Sequence, residues 1–291
     1  DNEFSRAVLA RLDDTFRWEQ LEEEVIRALR SDRFQEESRR PTADGMLALA
    51  RANYEVCFDE TSDLSQRLIF PTTPAEEHGI EDARFVRFIE DDGRVTYYAT
   101  YTAFDGQVVF PQLLETRDFL RFKISTLNGP AVQNKGMALF PRRIHGCYAM
   151  LSRQDGENLY LMYSDMLHFW YEKRLLLRPT YPWEFVQVGN CGSPIETEAG
   201  WLVLTHGVGP MRRYAIGAVL LDRDNPEKVI GRLREPLLTP TEDERDGYVP
   251  NVLYTCGALV HAGRLIIPYA MSDQCTSFAT VELKELLEAL T

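Results

Sequence analysis

The sequence has no hydrophobic run long enough to cross a membrane, because no stretch approaches 18 consecutive apolar residues. It opens on DNEFSRAVLARLDD, without the basic start and apolar block of a signal peptide. Basic residues are also scarce: 32 Lys and Arg stand against 45 Asp and Glu, a net charge of −13. Nucleic acids and anionic membranes bind clustered positive charge, so neither is an expected partner. We expect a cytoplasmic protein that binds any anion in a local pocket.

Paired cysteines and metal-ligand motifs are missing as well. The five cysteines are odd in number and scattered, with no CxxC pair and no histidine at metal spacing: Cys57, Cys147, Cys191, Cys256 and Cys275. We expect reduced thiols, no metal site and no bound cofactor. The sequence also contains no GxSxG, HExxH, Walker or GxGxxG motif, so the enzyme classes that depend on those motifs have no support.

Helical periodicity is confined to the two ends of the sequence. Residues 11–31 predict an amphipathic helix with an apolar face formed by Trp18, Leu21, Val25 and Leu29. A second helix is predicted over 44–54, with 32–45 as a connector, and the stretch VELKELLEAL near the C-terminus returns to helix. We therefore assign 1–60 to a helical N-terminal segment and 61–291 to a β-rich domain.

Four predicted β-hairpins recur along the β-rich part. Their turn glycines are separated by 63, 44 and 63 residues, a repeat typical of propeller blades: Gly93, Gly156, Gly200 and Gly263. The strand after each turn ends in polar groups: Tyr101, Thr102 and Asp105; Tyr163, Ser164 and Asp165; Thr205 and His206; Tyr269, Ser272 and Asp273. Equivalent strand ends of a propeller converge on its axis, which predicts one shared pocket. The alternative is that these ends are polar because they meet solvent.

Two groups of charged residues are candidates for chemistry. The stretch HGIEDARFVRF places Glu81 and Asp82 just before Arg84 and a strand, where a carboxylic acid could donate a proton. Alternatively, Asp82 caps a turn and Arg84 pairs with Glu81. Basic residues, including Lys135 and Arg153, occur in and after NKGMALFPRR. The alternative for each of them is an ordinary solvated side chain, which is the usual state of a basic residue in a loop.

Several segments, in this order, resemble glycoside hydrolase family 130: GIEDARFVRF, NKGMALFPRRIHGCYAMLSR, CGSPIETEAGWLVLTHGVGPMRRY and GYVPNVLYTCGALV. The resemblance implies a five-bladed β-propeller that acts as an inverting β-mannoside phosphorylase. In that reaction inorganic phosphate, the co-substrate, attacks the anomeric carbon of a terminal β-mannosyl unit of an oligosaccharide and releases mannose 1-phosphate. The family's single acid, which protonates the leaving oxygen through a sugar hydroxyl, corresponds to Asp82.

The resemblance also implies the other site residues. The expected phosphate ligands are Lys135, Arg153, His206, Arg212 and Arg213. The expected sugar-binding residues, some of them aromatic rings that can stack on sugars, are Glu81, Arg84, Tyr101, Asp105, Tyr248, Asn251, Tyr269 and Asp273.

Two positions depart from the family pattern. The proline of its Glu-Asp-Pro-Arg motif is Ala83 here, and Glu196 stands where many family phosphorylases carry a basic residue. A carboxylate there would repel phosphate and could instead serve as the base of a β-mannosidase, the first alternative function. A non-catalytic carbohydrate-binding propeller is the second. Because 1–60 is predicted to be mainly helical, one of the five blades is incomplete, lies in chain not present here, or is replaced by helices. The sequence does not determine the linkage, the acceptor sugar or whether the protein forms a homo-oligomer.

Overall fold

The structure is a computed structural model that describes residues 2–31 and 36–290. It begins with three helices, α1 (Glu3–Leu9), α2 (Trp18–Leu29) and α3 (Glu36–Arg51), whose apolar faces pack together. Helix α2 confirms the predicted amphipathic helix from Trp18 onward, whereas residues 11–17 of the predicted span are not helical. No helix in the described part of the chain combines the length and apolar character that a membrane crossing requires.

Helix α3 overturns one prediction. It runs through 36–45, which the sequence suggested was a connector, and it contains Pro41. The reason is tertiary packing, since buried Ala43 lies in the core of the three helices and Met46 and Ala50 pack against it. Residues 32–35 of the predicted connector lie outside the described residues.

The rest of the chain forms four antiparallel sheets, the blades of a β-propeller. Blade 1 contains β1 (Tyr54–Cys57), β2 (Ile80–Ile89), β3 (Val95–Phe104), β4 (Val109–Thr116) and β5 (Arg121–Thr126). Blade 2 contains β6 (Lys135–Leu139), β7 (Tyr148–Arg153), β8 (Leu159–Ser164) and β9 (Arg174–Leu177). Blade 3 contains β10 (Gln187–Asn190), β11 (Ile195–Thr197), β12 (Gly200–Val208), β13 (Tyr214–Leu221) and β14 (Val229–Arg232). Blade 4 contains β15 (Leu253–Tyr254), β16 (Leu259–His261), β17 (Arg264–Met271) and β18 (Cys275–Glu282), and the predicted C-terminal helix follows as α4 (Leu283–Leu290).

Strand β1 lies inside the segment 1–60 that the sequence suggested was helical. It pairs with β5 and forms the outer edge of blade 1, after the chain has left the helices.

The innermost strands of the four blades are β2, β6, β10 and β15. We call the end of the propeller at which these strands begin the site end. In blades 3 and 4 the inner strand is interrupted: β10 and β11 both pair with β12, and β15 and β16 both pair with β17. Each interruption places irregular backbone close to the axis, and the peptide groups there lie outside the regular sheet pairing.

All four predicted hairpins are present, but they do not occupy equivalent places in their blades. The turn at Gly156 joins β7 to β8, the second and third strands of blade 2. The turns at Gly93, Gly200 and Gly263 instead lead from the inner edge of a blade into its second strand, which is β3, β12 or β17. Ser164 therefore pairs with Tyr148, at the end of blade 2 that lies farthest from Arg153. The prediction that all four strand ends meet is wrong for the hairpin of blade 2. The equivalent turn is at Gly146, which gives more even spacings of 53, 54 and 63 residues.

Apolar layers fill the spaces between successive blades. Phe88 of blade 1 and Met150 of blade 2 share one layer, and Leu161 of blade 2 and Trp201 of blade 3 share the next. The third layer joins blades 3 and 4 to α4. Burial between blades therefore provides the main driving force that holds the inner strands around the axis.

Three blades are entered through the same short turn. A 3-10 turn ending in glutamate precedes the inner strand of blades 1, 3 and 4, in the sequences TTPAE, TYPWE and TEDE. In each, the glutamate accepts a hydrogen bond from the backbone three residues earlier, as a capping box does: Glu76 from Thr73, Glu184 from Tyr181, and Glu244 from Thr241. Each carboxylate also accepts a hydrogen bond from a strand of the blade that follows, from Tyr101, Arg232 or Tyr269. These turns fix where each inner strand begins.

Glu76→Gln should lower the free energy of unfolding by roughly 1–3 kcal/mol. Glu76 is fully buried and accepts hydrogen bonds from Tyr54, Tyr101 and the backbone of Thr72 and Thr73. A glutamine replaces one acceptor oxygen by an amide donor, which leaves some of these donors unpaired. Urea unfolding measures the change. The same substitution at the exposed neighbour Glu77 is the control, and equal losses in both variants would contradict this role.

Candidate active site

Asp82 lies in a β-bulge near the start of β2. The register with β3 shifts between Glu81, opposite Thr102, and Arg84, opposite Thr100, so two residues of β2 face one of β3. Within the bulge Asp82 has a φ of 60°, a left-handed conformation that aspartate tolerates better than most side chains. Strained backbone conformations cluster at functional sites. Here the strained residue is a carboxylate close to the propeller axis.

Arg84 holds Asp82 in this conformation. Its guanidinium is 1% exposed and donates to the Asp82 backbone oxygen (2.8 Å) and to Oδ2 (3.2 Å). It also donates to the hydroxyl of Tyr254 in blade 4 (2.7 Å) and to the carbonyl of Cys191 in blade 3 (2.9 Å). Burial opposes its charge, but Tyr254, Asp82 and Cys256 together keep the pKa of Arg84 above its ordinary value. A permanent cation therefore ties three blades together beneath Asp82.

Two further cations lie side by side in blade 2. Lys135 begins β6 and pairs across the sheet with Arg153, the last residue of β7. The Lys135 ammonium forms a half-exposed ion pair with Glu81 (Nζ to Oε1, 2.7 Å). Arg153 is 8% exposed, and its Nη1 contacts Nε2 of His206 at 2.8 Å.

His206 is a neutral ring that accepts a hydrogen bond from Arg153. A guanidinium has only donors, so Nε2 of His206 must be the unprotonated nitrogen. Burial, reinforced by the positive charges of Arg153 and Arg84, holds the pKa of His206 well below its ordinary value. The ring packs edge-on against Tyr254, with centroids 4.9 Å apart. A Cβ at Gly189 would lie 2.6 Å from the His206 ring, so only glycine fits here.

The structure thus brings together six of the residues that the sequence suggested: Glu81, Asp82, Arg84, Lys135, Arg153 and His206. Three residues of this cluster were not predicted from the sequence. They are Gln187, whose amide lies 3.0 Å from His206 Nε2, Tyr254, and Cys256, whose thiol lies 3.6 Å from Asp82 Oδ1. All five cysteines are free, as expected.

Arg212 and Arg213 do not take part in the hydrogen bonds and ion pairs of this cluster in the described part of the chain. They lie in a turn between β12 and β13, in which Met211 and Arg212 have positive φ values of 60° and 54°. Both side chains are exposed, and neither forms an ion pair or side-chain hydrogen bond with the described residues.

Glu196 is also remote from Asp82. It pairs with Trp201 on β12, five residues from His206, a separation of about 17 Å along a strand. Arg142 binds both carboxylate oxygens at 2.8 and 3.0 Å, and Arg223 contacts one of them at 3.2 Å. The hydrogen bond from Arg142 is the largest cause of the lowered pKa of Glu196, which is therefore ionised. Glu196 lines a separate cavity of about 760 Å³ beside α4.

The remaining predicted sugar-binding residues have varied surroundings. The hydroxyls of Tyr101 and Tyr269 donate to the entry-turn glutamates Glu76 (2.8 Å) and Glu244 (2.9 Å). Asp105 accepts from the backbone of residues 107 and 108 in the turn after β3. Three others lie on loops at the site end: Tyr248, which is 87% exposed, and Asn251 and Asp273, both with positive φ.

Comparison with known proteins identifies the family. The family model described as beta-1,4-mannooligosaccharide phosphorylase matches residues 50–291. A 1,2-beta-oligomannan phosphorylase of Thermoanaerobacter sp. is 34% identical over 248 residues, 82% of this chain and 80% of the relative. A beta-1,4-mannooligosaccharide phosphorylase of Ruminococcus albus is 35% identical over 70% of this chain and 63% of its own length.

A solved structure gives the same result. The beta-1,2-mannobiose phosphorylase of Listeria innocua, in complex with beta-1,2-mannobiose, superimposes with a TM-score of 0.68 at 31% identity. The match covers 76% of this chain and 63% of that structure, so the chain spans less than two thirds of that relative. The sequence and structural matches agree, and the chain belongs to glycoside hydrolase family 130, the family of these mannoside phosphorylases.

Proposed function

We propose that the protein is an inverting β-mannoside phosphorylase that converts a β-mannooligosaccharide and inorganic phosphate to mannose 1-phosphate and a shortened sugar. The observation that carries this proposal is that Arg153 is buried without a carboxylate partner in the described part of the chain. The cations Arg84 and Lys135 each have a carboxylate partner, Asp82 and Glu81, whereas Arg153 has none among the described residues. A buried cation without a carboxylate partner favours the binding of an anion, and phosphate is an anion of suitable size and charge.

The proposed reaction uses this arrangement directly. Arg153 and Lys135 hold phosphate, with neutral His206 supporting the guanidinium, so that a phosphate oxygen can form the new bond to the anomeric carbon. Asp82 gives its proton, through a sugar hydroxyl, to the oxygen of the breaking glycosidic bond. A proton brought in with the next phosphate restores Asp82. Positive groups fixed in advance favour the transition state, because they need no rearrangement as charge develops.

The surroundings of Glu196 argue against the β-mannosidase alternative. A base that activates water must lie near the anomeric carbon and have an available oxygen. Glu196 is about 17 Å along β12 from His206 and is neutralised by Arg142 and Arg223. Its negative charge therefore does not oppose phosphate beside Arg153.

One assay distinguishes the candidate functions. The protein is incubated with β-1,2- and β-1,4-mannobiose, with and without phosphate. We expect mannose 1-phosphate only when phosphate is present. Free mannose released at the same rate without phosphate would establish a hydrolase, and binding without turnover would establish a carbohydrate-binding propeller. Comparing the two disaccharides also reports the linkage.

We further propose a fifth blade between blades 4 and 1, as the family resemblance implies. Phe278 of β18 is 73% exposed on the face of blade 4 that points away from blade 3. Phe85 of β2 is 45% exposed on the face of blade 1 that points away from blade 2. Exposed apolar side chains on facing blades favour a covering sheet. An experimental structure with strands packed on Phe278 would support this proposal, and solvent on both faces would contradict it.

A further inference from the structure

Two Cys-Gly pairs interrupt inner strands and meet near the axis. Cys191 and Gly192 separate β10 from β11, and Cys256 and Gly257 separate β15 from β16. A Cβ at Gly192 would lie 2.5 Å from the Cα of Gly257 and 2.7 Å from the carbonyl oxygen of Cys256, so no larger residue fits. We call residues 191–192 and 256–257 the Cys-Gly junction. Blades 3 and 4 are in backbone contact there.

The junction touches both members of the Asp82–Arg84 pair. The carbonyl of Cys191 accepts from Nε of Arg84 at 2.9 Å, and the thiol of Cys256 lies 3.6 Å from Oδ1 of Asp82. Burial and the negative charge of Asp82 raise the pKa of Cys256 to about 12, so the thiol keeps its proton and can donate it. The hydroxyl of neighbouring Thr255 bonds the carbonyl of Pro268 on β17 at 2.6 Å, which fixes this segment.

We propose that Cys256 is a positioning residue for Asp82, its thiol holding Oδ1 while Arg84 holds Oδ2. This proposal rests on the proposed function. An acid that transfers its proton through a sugar hydroxyl must present one oxygen in a fixed direction, and a single contact to Arg84 leaves the carboxyl free to rotate. The other charged or titratable groups around Asp82 are Arg84, Tyr254, Cys191 and the Glu81–Lys135 ion pair.

Removal of the thiol tests this role through the reaction. Cys256→Ala should lower kcat for phosphorolysis by about 10- to 100-fold, the range expected for a misplaced catalytic group, with little change in the KM for phosphate. Cys256→Ser, which retains a donor, should restore most of the rate. The control is Cys275→Ala, at an exposed cysteine that begins β18.

Equal losses in the alanine and serine variants, or an alanine variant within twofold of the parent, would overturn the proposal. Thermal unfolding of each variant shows whether a loss of rate reflects a loss of fold.

Alkylation tests the contact without any turnover. Iodoacetamide labelling followed by mass spectrometry should modify Cys256 several-fold faster in Asp82→Asn than in the parent, because a carboxylate that disfavours the thiolate has been removed. Labelling of Cys275 provides the internal reference. An unchanged Cys256 rate would overturn the positioning role whatever the protein's activity. A faster rate in a protein without phosphorolysis would support the contact and refute the proposed function alone.

Discussion

Asp82→Asn should lower the rate of phosphorolysis by about 100- to 10,000-fold, the usual contribution of a general acid. Asparagine has the same shape and accepts hydrogen bonds through its amide oxygen, but it has no carboxyl proton to transfer. It also tolerates the left-handed backbone at φ 60°, which alanine would not. Arg84 keeps its bonds to Tyr254, Cys191 and the Asp82 backbone, so the site should remain assembled. Initial rates of mannose 1-phosphate release measure the effect.

The matched control is Asp91→Asn. Asp91 lies in the turn between β2 and β3, at the other end of the same hairpin, where its carboxylate is 80% exposed. This variant should retain the parental rate. Circular dichroism and thermal unfolding should show both variants folded. If Asp82→Asn kept more than about a tenth of the parental rate, Asp82 would not be the general acid.

The residues around Asp82 were the most predictable part of the site. GIEDAR encodes a carboxylate, an arginine two residues later and a strand in one short stretch, and in the structure Arg84 bonds both the backbone and the side chain of Asp82. Lys135 and Arg153 were named through the family resemblance, and in the structure one begins β6 while the other ends β7, the strand paired with it. Contacts confined to one hairpin leave a local pattern in the sequence.

Contacts between blades leave no such pattern. Tyr254 and Cys256 are 170 and 174 residues from the groups they touch, Arg84 and Asp82. A signal was available, because Cys-Gly occurs twice, at 191–192 and 256–257, after successive inner strands. The recurrence of TxPxE at 72–76 and 180–184 similarly marks the entry turns.

Adjacency in the sequence does not by itself predict contact at the end of β12. Arg212 and Arg213 follow His206 closely, which suggested one cationic group, but left-handed residues in the intervening turn carry them to the surface. Glu196 shows the same difficulty, since the interruption after β10 places it on β11, beyond reach of the residues beside His206. Turns and interruptions of this kind depend on tertiary packing, which hydrophobic periodicity does not report.

Arg153→Ala should raise the KM for phosphate by about 10- to 100-fold, because a hydrogen bond to a charged group contributes roughly 1.5–3 kcal/mol. Arg153 is buried beside His206 and has no carboxylate partner among the described residues, so its charge is available to an anion. The KM for the mannoside should change much less. Arg153→Lys keeps the charge but loses the planar fork that binds two oxygens, so it should give an intermediate KM.

Arg212→Ala separates this effect from a general loss of positive charge. It removes the same side chain from an exposed turn at the site end, and it should change the KM for phosphate by less than about twofold, as expected for a screened surface charge. Equal changes in the two alanine variants would mean that long-range attraction, not a built site, draws phosphate in. If both left the KM unchanged while thermal unfolding showed them folded, phosphate would bind elsewhere, and Arg153 would instead serve to hold neutral His206 against blade 2.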